Sequence, residues 1–171
     1  MTKYRNFVIL IVILSEYELN TKGSFTMLRP MTEQDREVFI RLADEFYHSS
    51  ACLHTVPTEY FHKTLDEILA DSPYAKGYIF EKDGKVAGYA LLSFTYSNEA
   101  GGLACLLEEA YVIPEFQGCG LGKELFAFVE NEFPDVRRFR LEVTHCNERA
   151  ISLYRRLGYE ELDYIQMIKD R

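Results

Sequence analysis

Residues 111–123 read Tyr111-Val112-Ile113-Pro114-Glu115-Phe116-Gln117-Gly118-Cys119-Gly120-Leu121-Gly122-Lys123, a β-rich segment that runs into three glycines and then into an amphipathic helix. Glycines let a backbone approach an anion without a Cβ atom in the way. The free N–H groups of a helix start, with a dipole worth about +0.5 charge, attract negative oxygens. We therefore expect this loop to hold a diphosphate. Such loops serve dinucleotides, nucleoside triphosphates and coenzyme A, so other residues must decide among these ligands.

Composition predicts one domain. The chain has 171 residues, of which 47% are hydrophobic and 14% aromatic, enough for one substantial core and too few for two. The formal net charge is −8, and no run of five basic residues occurs. Because nucleic-acid binding depends on clustered Lys and Arg, we expect no nucleic-acid partner. The negative electrostatic potential of such a chain favours a cationic or amine substrate instead.

Residues 1–26 are interpreted as an appendage of unknown role, and residues 27–171 as the functional domain. The apolar stretch over 7–14 is too short to span a membrane, and no small-residue cleavage site follows it. A β-branched run of this kind fits a buried or swapped strand. We expect Met27 to be the natural start, and we expect a cytoplasmic protein with no membrane partner.

The cysteines and histidines predict no metal site. Cys52, Cys105, Cys119 and Cys146 are widely spaced and have no histidine at metal-ligand spacing. They are typical of reduced thiols. Cys119 lies in the glycine loop, where a helix start lowers a thiol pKa, but no residue nearby in sequence supplies a base for it.

The order of hydrophobic patterns predicts an α/β (α+β) fold. Asp83-Gly84 is a strong hairpin signal, and the glycine loop lies inside a strand–helix–strand unit whose crossover should be right-handed and whose strands should be parallel, within an otherwise antiparallel sheet. Thr32, Thr58 and Asn147 are predicted helix caps, and Gly158 ends the last helix. The predicted helices cover about 32–48, 58–71, 120–132 and a stretch after 147, and the predicted strands cover about 27–30, 77–81, 86–94, 103–113, 139–143 and 164–168.

Gln117, Gly120 and Gly122, followed downstream by Asn147 and Tyr154, resemble the GNAT superfamily of acyl-CoA N-acyltransferases. The likeness covers roughly residues 27–169 and includes Leu157-Gly158-Tyr159. It implies a twisted, mostly antiparallel sheet with a central parallel βαβ unit, splayed strands and helices on both faces. A Rossmann fingerprint would need a ribose-binding acid after the next strand, and a Walker loop would need Ser or Thr after Lys123.

The resemblance implies acetyl-CoA as co-substrate. The amides of 118–123 would hold its diphosphate, the Val112 strand would pair with the pantetheine arm, and the Asn147 amide would assist. For Gln117 the alternative is a hydrogen bond within its own turn. The implied cofactor-binding residues are Ala110, Tyr111, Val112, Gln117, Gly118, Cys119, Gly120, Leu121, Gly122, Lys123, Asn147 and Tyr154.

Tyr154 matches the tyrosine that protonates the departing thiolate in this family. A phenol with a pKa of about 10 is protonated at neutral pH and can donate to a sulfur anion. The alternative is an ordinary core aromatic on an apolar helix face.

Amine acylation also needs a group that removes a proton, because an ammonium has no lone pair. Strand alternation predicts that Glu108 and Glu109 point to opposite faces, and Glu142 lies on the partner strand. The run Leu107–Val112 resembles diamine acetyltransferases, which implies Glu108 as the base through water. Likeness to ribosomal-protein acetyltransferases implies Glu142 instead. The alternative is that these acids are solvated or pair with arginines, namely Arg140 and Arg155.

The resemblance thus implies an N-acetyltransferase that moves an acetyl group from acetyl-CoA to a primary amine by direct attack. The acceptor we expect is a small amine or polyamine, received near the connection between the first two helices. Glu45 and Glu59 lie nearby and could receive a polycation, and the alternative is that they are ordinary surface charges of the helices. Protein N-terminal or aminoglycoside acetylation is the alternative specificity, and a non-catalytic acyl-CoA-binding domain is the alternative class. A homodimer is compatible with the resemblance.

Overall fold

The computed structural model describes residues 26–170, and the expected appendage, with its apolar stretch over 7–14, lies outside that range except for its last residue. The described chain forms one five-stranded sheet and four α-helices. The strands are β1 (Thr26–Pro30), β2 (Ala75–Lys82), β3 (Lys85–Ser97), β4 (Gly102–Val112) and β5 (Val136–Leu141), and the helices are α1 (Arg36–Tyr47), α2 (Thr58–Leu69), α3 (Leu121–Glu132) and α4 (Glu148–Arg156). Short 3₁₀ turns precede α1 at Glu33–Asp35 and follow β4 at Pro114–Phe116.

The strands follow one another across the sheet in chain order. The pairs β1–β2, β2–β3 and β3–β4 are antiparallel, and β4–β5 is parallel. The predicted hairpin is confirmed: Asp83 and Gly84 both have positive φ, 52° and 76°, as a two-residue hairpin turn requires. The predicted mixed sheet with a parallel strand–helix–strand unit is therefore confirmed.

Helices cover both faces of the sheet. On one face α1 and α2 bury Phe39, Leu42 and Leu65 against Ile79 and Tyr89 of the sheet. On the other face α3 packs on the alternate sheet residues, in a second cluster that includes Phe80, Leu92, Cys105, Leu125 and Phe126. Each fully buried side chain of this size contributes about 1.5–3 kcal/mol of transfer free energy, so the two clusters fix which face each helix covers.

Two predicted strand positions are wrong. β5 ends at Leu141 rather than Val143, which leaves Glu142 just beyond the strand. The predicted last strand over 164–168 does not form, and residues 157–170 contain no helix or strand. A strand exists only where its backbone finds a partner. This segment instead reaches the sheet through side chains: the Tyr164 hydroxyl donates to Glu99 at 3.0 Å, and the Gln166 amide donates to Glu142.

Candidate active site

The two parallel strands separate next to the glycine loop. β4 pairs with β5 from Leu103 to Leu107, and the pairing stops at Leu107 and Leu141. Residues 109–112 of β4 continue to pair with β3 only. The other edge of this stretch therefore faces an opening instead of a strand, and its backbone groups can pair with an amide-rich ligand. The expected splay is present at the expected place.

The glycine loop presents a series of unpaired amides. Gly118 and Gly120 have φ of 78° and 90°, values that L-residues adopt only with strain. The Glu124 amide, which donates to the Gly120 carbonyl at 3.2 Å, makes the first backbone bond of α3. For the amides of 118–123 no backbone acceptor is found within the described chain. Six successive N–H groups at a helix start suit a diphosphate, so the loop fits the nucleotide end of coenzyme A.

The third glycine has a packing role as well. A Cβ atom on Gly122 would lie 2.9 Å from Leu153 Cδ2, so this glycine allows α4 to approach the start of α3. α4 begins as predicted: Asn147 Oδ1 accepts the Ala150 amide at 3.2 Å. The cap uses the oxygen of Asn147, which leaves its amide nitrogen available to a ligand.

Arg149 was missed by the sequence reasoning. Its Nη2 atom lies 3.5 Å from the place a Cβ of residue 118 would take, so its guanidinium stands beside the glycine loop. The signal was present in the sequence, because Arg149 follows the Asn147 cap by two residues and so lies in the first turn of a helix placed against the loop. Arg149 adds a positive charge where a diphosphate would bind.

Gln117 forms a hydrogen bond within its own turn, as the alternative interpretation of this residue predicts. Its Nε2 donates to the Val112 carbonyl at 3.0 Å, which closes the turn between β4 and α3. In this arrangement the Val112 carbonyl is occupied by Gln117. Tyr111 and Ala110 keep their places on the strand edge that faces the opening.

Tyr154 lies on the face of α4 that meets α3. Its ring packs on Phe126 at 5.5 Å and Tyr159 at 6.2 Å between centroids. Burial raises the pKa of this phenol above its ordinary value of 10.0. A hydrogen-bond partner for its hydroxyl is not found within residues 26–170. Tyr154 is therefore a protonated phenol whose O–H is free to donate.

Glu108 and Glu109 lie on the same face of the sheet, so the expectation of opposite faces is wrong. Leu91 pairs with Glu109 while Leu92 pairs with Leu107, which makes Glu108 the extra residue of a β-bulge. A bulge breaks the strict alternation of side chains. Both carboxylates consequently point to the side of α1 and α2.

The contacts of the two acids differ. Glu108 is exposed and accepts a hydrogen bond from Ser93 Oγ at 2.6 Å. Glu109 is partly buried and accepts from the hydroxyls of Tyr47 at 2.7 Å and Tyr89 at 2.6 Å. Burial raises the pKa of Glu109 above 4.5, an effect that its two tyrosine partners oppose and the neighbouring Glu108 reinforces. Neither acid pairs with Arg140 or Arg155 in the described chain, and Arg155 pairs with Glu161.

The connection between α1 and α2 lies next to these acids. Tyr47 is the last residue of α1, and Glu45, two residues earlier, accepts from the Tyr111 hydroxyl at 3.1 Å. The loop after β5 reaches the same connection, because Cys146 Sγ lies 3.9 Å from the Ser50 carbonyl. The acids, the end of α1 and the loop after β5 therefore surround one open site. Glu142 belongs to that loop, where its carboxylate accepts from Gln166.

Comparison with known proteins agrees with this geometry. A model described as "Acetyltransferase (GNAT) family" matches residues 37–159. The chain belongs to the GNAT family of acetyltransferases. It is an N-acetyltransferase, and GNAT enzymes use acetyl-CoA.

A relative named thialysine N-epsilon-acetyltransferase, from Bos taurus, is 30% identical over 154 residues, which cover 81% of this chain and 86% of the relative. Two solved structures share the GNAT fold. The aminoglycoside N-acetyltransferase AAC(6′)-Iy in complex with CoA has a TM-score of 0.71 at 23% identity, over 90% of this chain and 99% of its own. A ribosomal-protein-alanine N-acetyltransferase from Brucella melitensis has a TM-score of 0.68 at 16% identity, over 85% and 99%.

Two further features bear on the GNAT site. Within residues 26–170, acids, cysteines and histidines nowhere gather into a group of three that could hold a metal ion. In the same range no helix has the length and apolarity needed to cross a membrane.

Proposed function

We propose that this GNAT enzyme acetylates a primary amine of a small amine or polyamine, by direct attack of the nitrogen on the thioester of acetyl-CoA. The observation that carries this proposal is the bulge in β4. It sets two carboxylates, Glu108 and Glu109, side by side next to the opening between β4 and β5. Neighbouring carboxylates attract an ammonium group and can accept the proton that it must lose.

Each group in the site has one task. The amides of 118–123 anchor the nucleotide end, and a main-chain N–H between Ala110 and Val112 polarises the thioester carbonyl. Glu108, the exposed acid, takes the amine proton through a water molecule. The nitrogen then forms the new bond to the carbonyl carbon, the carbon–sulfur bond breaks, and Tyr154 donates its proton to the sulfur. The second proton that the nitrogen loses as it becomes an amide passes through water to the Tyr154 phenolate and restores the phenol. Holding both substrates in one site supplies much of the acceleration.

Glu109 has a supporting task in this scheme. Its carboxylate is already hydrogen-bonded to Tyr47 and Tyr89, whereas Glu108 is exposed and, within the described residues, is bonded only to Ser93. We therefore assign the proton transfer to Glu108, and we assign to Glu109 the attachment of the end of α1 to the sheet. Glu142, on the loop after β5, is the alternative base.

The relative named thialysine N-epsilon-acetyltransferase supports a small free amine as the acceptor, since it aligns with most of this chain. Glu45 beside the same site offers a further carboxylate for a second ammonium group. Protein N-terminal acetylation and aminoglycoside acetylation are the alternative specificities. The two structural neighbours with those names share only the fold with this chain.

The test is release of free thiol from acetyl-CoA in the presence of a panel of acceptors. The panel contains spermidine, a lysine analogue with a free side-chain amine, an alanine-initiated peptide and an aminoglycoside. We expect thiol release to depend on an added small amine or polyamine, and Glu108→Gln to lower kcat about 100-fold. Glu160→Gln, at an exposed position beyond α4, is the matched control and should not change it. Thiol release with the peptide and with no other acceptor of the panel would contradict the proposed acceptor. An absence of thiol release with every amine would favour a non-catalytic acyl-CoA-binding domain.

We also propose that the domain comprises residues 27–171, that the enzyme acts in the cytoplasm and that it forms a homodimer. Support for the last point comes from the segment after α4. Ile165 and Met167 are 92% and 91% exposed there, although the transfer of such side chains out of water lowers the free energy.

A further inference from the structure

Two of the four cysteines lie on the two loops that border the open site. Cys52 belongs to the connection between α1 and α2, and Cys146 belongs to the loop after β5. These loops touch each other, because the Cys146 thiol donates to the Ser50 carbonyl at 3.9 Å. The other two cysteines lie elsewhere, since Cys105 is buried in the core and Cys119 belongs to the glycine loop.

Chain geometry brings Cys52 close to Cys146. One residue separates Ser50 from Cys52, so their Cα atoms lie at most about 7 Å apart. The Cys52 amide donates to the Ser49 carbonyl at 3.4 Å, which folds this stretch into a turn and shortens that distance. The Cα atoms of a disulfide lie roughly 4.4–6.8 Å apart. The two sulfurs can therefore meet through a movement confined to these two loops.

The surroundings of the two thiols set the order in which they react. Cys146 is exposed, and Thr144 Oγ1 lies 3.3 Å from its sulfur, so this hydroxyl can donate to a sulfur anion. Cys52 is half-buried, and burial together with the negative charge of Glu109 raises the pKa of its thiol to about 11. The thiolate is the attacking species and must reach the oxidant, so Cys146 reacts first.

We propose that Cys52 and Cys146 are a redox-sensitive pair, which a small-molecule disulfide converts into a disulfide bond across the opening of the site. The Cys146 thiolate attacks one sulfur of the reagent, the S–S bond of the reagent breaks, and its first thiol leaves. The Cys52 thiolate then attacks the Cys146 sulfur and releases the second thiol. Each attacking thiol gives its proton to water, and each leaving thiolate takes one from water. The protein is oxidised by two electrons, and the reagent is reduced to two thiols.

The bond fastens the loop after β5 to the connection between α1 and α2. Both loops border the site that contains Glu108, so the bond closes the path of an acceptor amine to this acid. The enzyme is then active when reduced and inactive when oxidised. This consequence rests on the proposed function, whereas formation of the bond does not. In reducing compartments, disulfides are usually transient and redox-sensing in this way.

The first test treats the full-length protein with oxidised glutathione and measures the mass of the intact protein and of its unreduced peptides. We expect the wild type to lose about 2 Da and to yield a peptide pair that joins Cys52 to Cys146. Cys119→Ser, which removes the exposed thiol of the glycine loop, should yield the same pair. Cys52→Ser should instead retain a glutathione adduct on Cys146. Peptides without a bond between Cys52 and Cys146 would overturn the inference.

The second test measures turnover with the acceptor found in the panel. Turnover of the wild type should fall about tenfold after oxidation and return when dithiothreitol reduces the bond, because the acceptor can no longer enter. The double variant Cys52→Ser with Cys146→Ser, which keeps Cys119, should have the same turnover before and after the treatment.

The outcomes separate this redox pair from the proposed function. A joined peptide pair with unchanged turnover would overturn the closure of the site, and an equal loss of turnover in the double variant would trace the inhibition to another thiol and overturn it too. Absence of turnover in the reduced wild type would overturn the proposed function, while the joined peptides would still establish the bond.

Discussion

Burial favours the role that we propose for Tyr154, protonation of the departing thiolate. Its ring is held by Phe126 and Tyr159, and burial keeps its pKa above 10.0, so the phenol retains its proton at neutral pH. A protonated donor without an internal acceptor can deliver its proton to a sulfur anion that forms nearby.

Tyr154→Phe tests this assignment because it removes the hydroxyl and keeps the ring. We expect kcat to fall about 100-fold, since positioned acids contribute on the order of 10²–10⁴ in rate, while the affinity for acetyl-CoA stays unchanged. Steady-state kinetics with the acceptor found in the panel measure both. Tyr159→Phe is the control, because Tyr159 packs in the same aromatic group. Equal turnover in Tyr154→Phe and the wild type would refute the role of the phenol.

Glu109 gives a prediction about stability and pH. Because burial raises the pKa of Glu109, its carboxyl group binds a proton more tightly in the folded protein than in the unfolded chain at pH values above about 4.5. The unfolded state binds fewer protons in that window, so this group lowers the free energy of unfolding as pH rises.

Glu109→Gln removes that titration. The free energy of unfolding of the variant should therefore rise relative to the wild type between about pH 5 and about pH 7, as measured by urea denaturation at both values. Glu160→Gln, at an exposed site, should show no such trend. A difference between Glu109→Gln and the wild type that is constant with pH would show that Glu109 is ionised equally in both states.

At the scale of elements, the loop between β4 and α3 depends on backbone geometry that only glycine adopts without strain. Gly120 has φ of 90°, and a Cβ there would meet nothing closer than 3.9 Å, so conformational strain is the only obstacle to a side chain. An L-residue in this region costs about 1–2 kcal/mol.

Gly120→Ala should weaken acetyl-CoA binding about tenfold, because the strain is relieved by moving the amides that face the diphosphate. Gly84→Ala is a matched control, since Gly84 has φ of 76° and open space but lies in the β2–β3 hairpin. The control should lose stability by a similar amount and keep its affinity. If both variants bind acetyl-CoA as tightly as the wild type, the loop is not the binding site.

The elements themselves were largely predictable, and the exceptions have physical causes. Helices, the hairpin and the parallel unit follow from turns, hydrophobic periods and local caps such as Asn147, which residues close in sequence determine. The predicted cap at Thr58 is wrong, because α2 begins at Thr58 and Pro57 takes the cap position. The bulge at Glu108 depends on how β4 aligns with β3, and alternation along one strand cannot reveal it. The missing strand over 164–168 has a suitable pattern but no partner, and partners are a property of the whole fold. Arg149 at the loop likewise follows from how α4 packs on α3.

At the scale of the whole molecule, residues 160–170 find no backbone hydrogen-bond partner within the described range 26–170. Leu162, Tyr164, Ile165, Met167 and Ile168 are all at least 55% exposed. A run of closely spaced apolar residues such as this one is typical of a strand that lies inside a sheet. A second copy of the chain would supply such a sheet, which is why we expect a homodimer.

Ile165→Ser combined with Met167→Ser should shift the protein from dimer to monomer in sedimentation velocity. Because both side chains are exposed within one chain, the fold of the monomer should persist, as circular dichroism would show. Lys169→Ser, at a polar position of the same segment, should leave the dimer intact. A wild type that stays monomeric at every concentration tested would contradict this prediction.

The proposed mechanism depends most directly on the binding of coenzyme A by the six loop amides. Titration calorimetry of the wild type with acetyl-CoA measures this affinity without any assumption about the acceptor. We predict one site per chain with a Kd within about 1 μM to 1 mM, the range of KM values usual for enzymes. No heat of binding at millimolar acetyl-CoA would contradict the account.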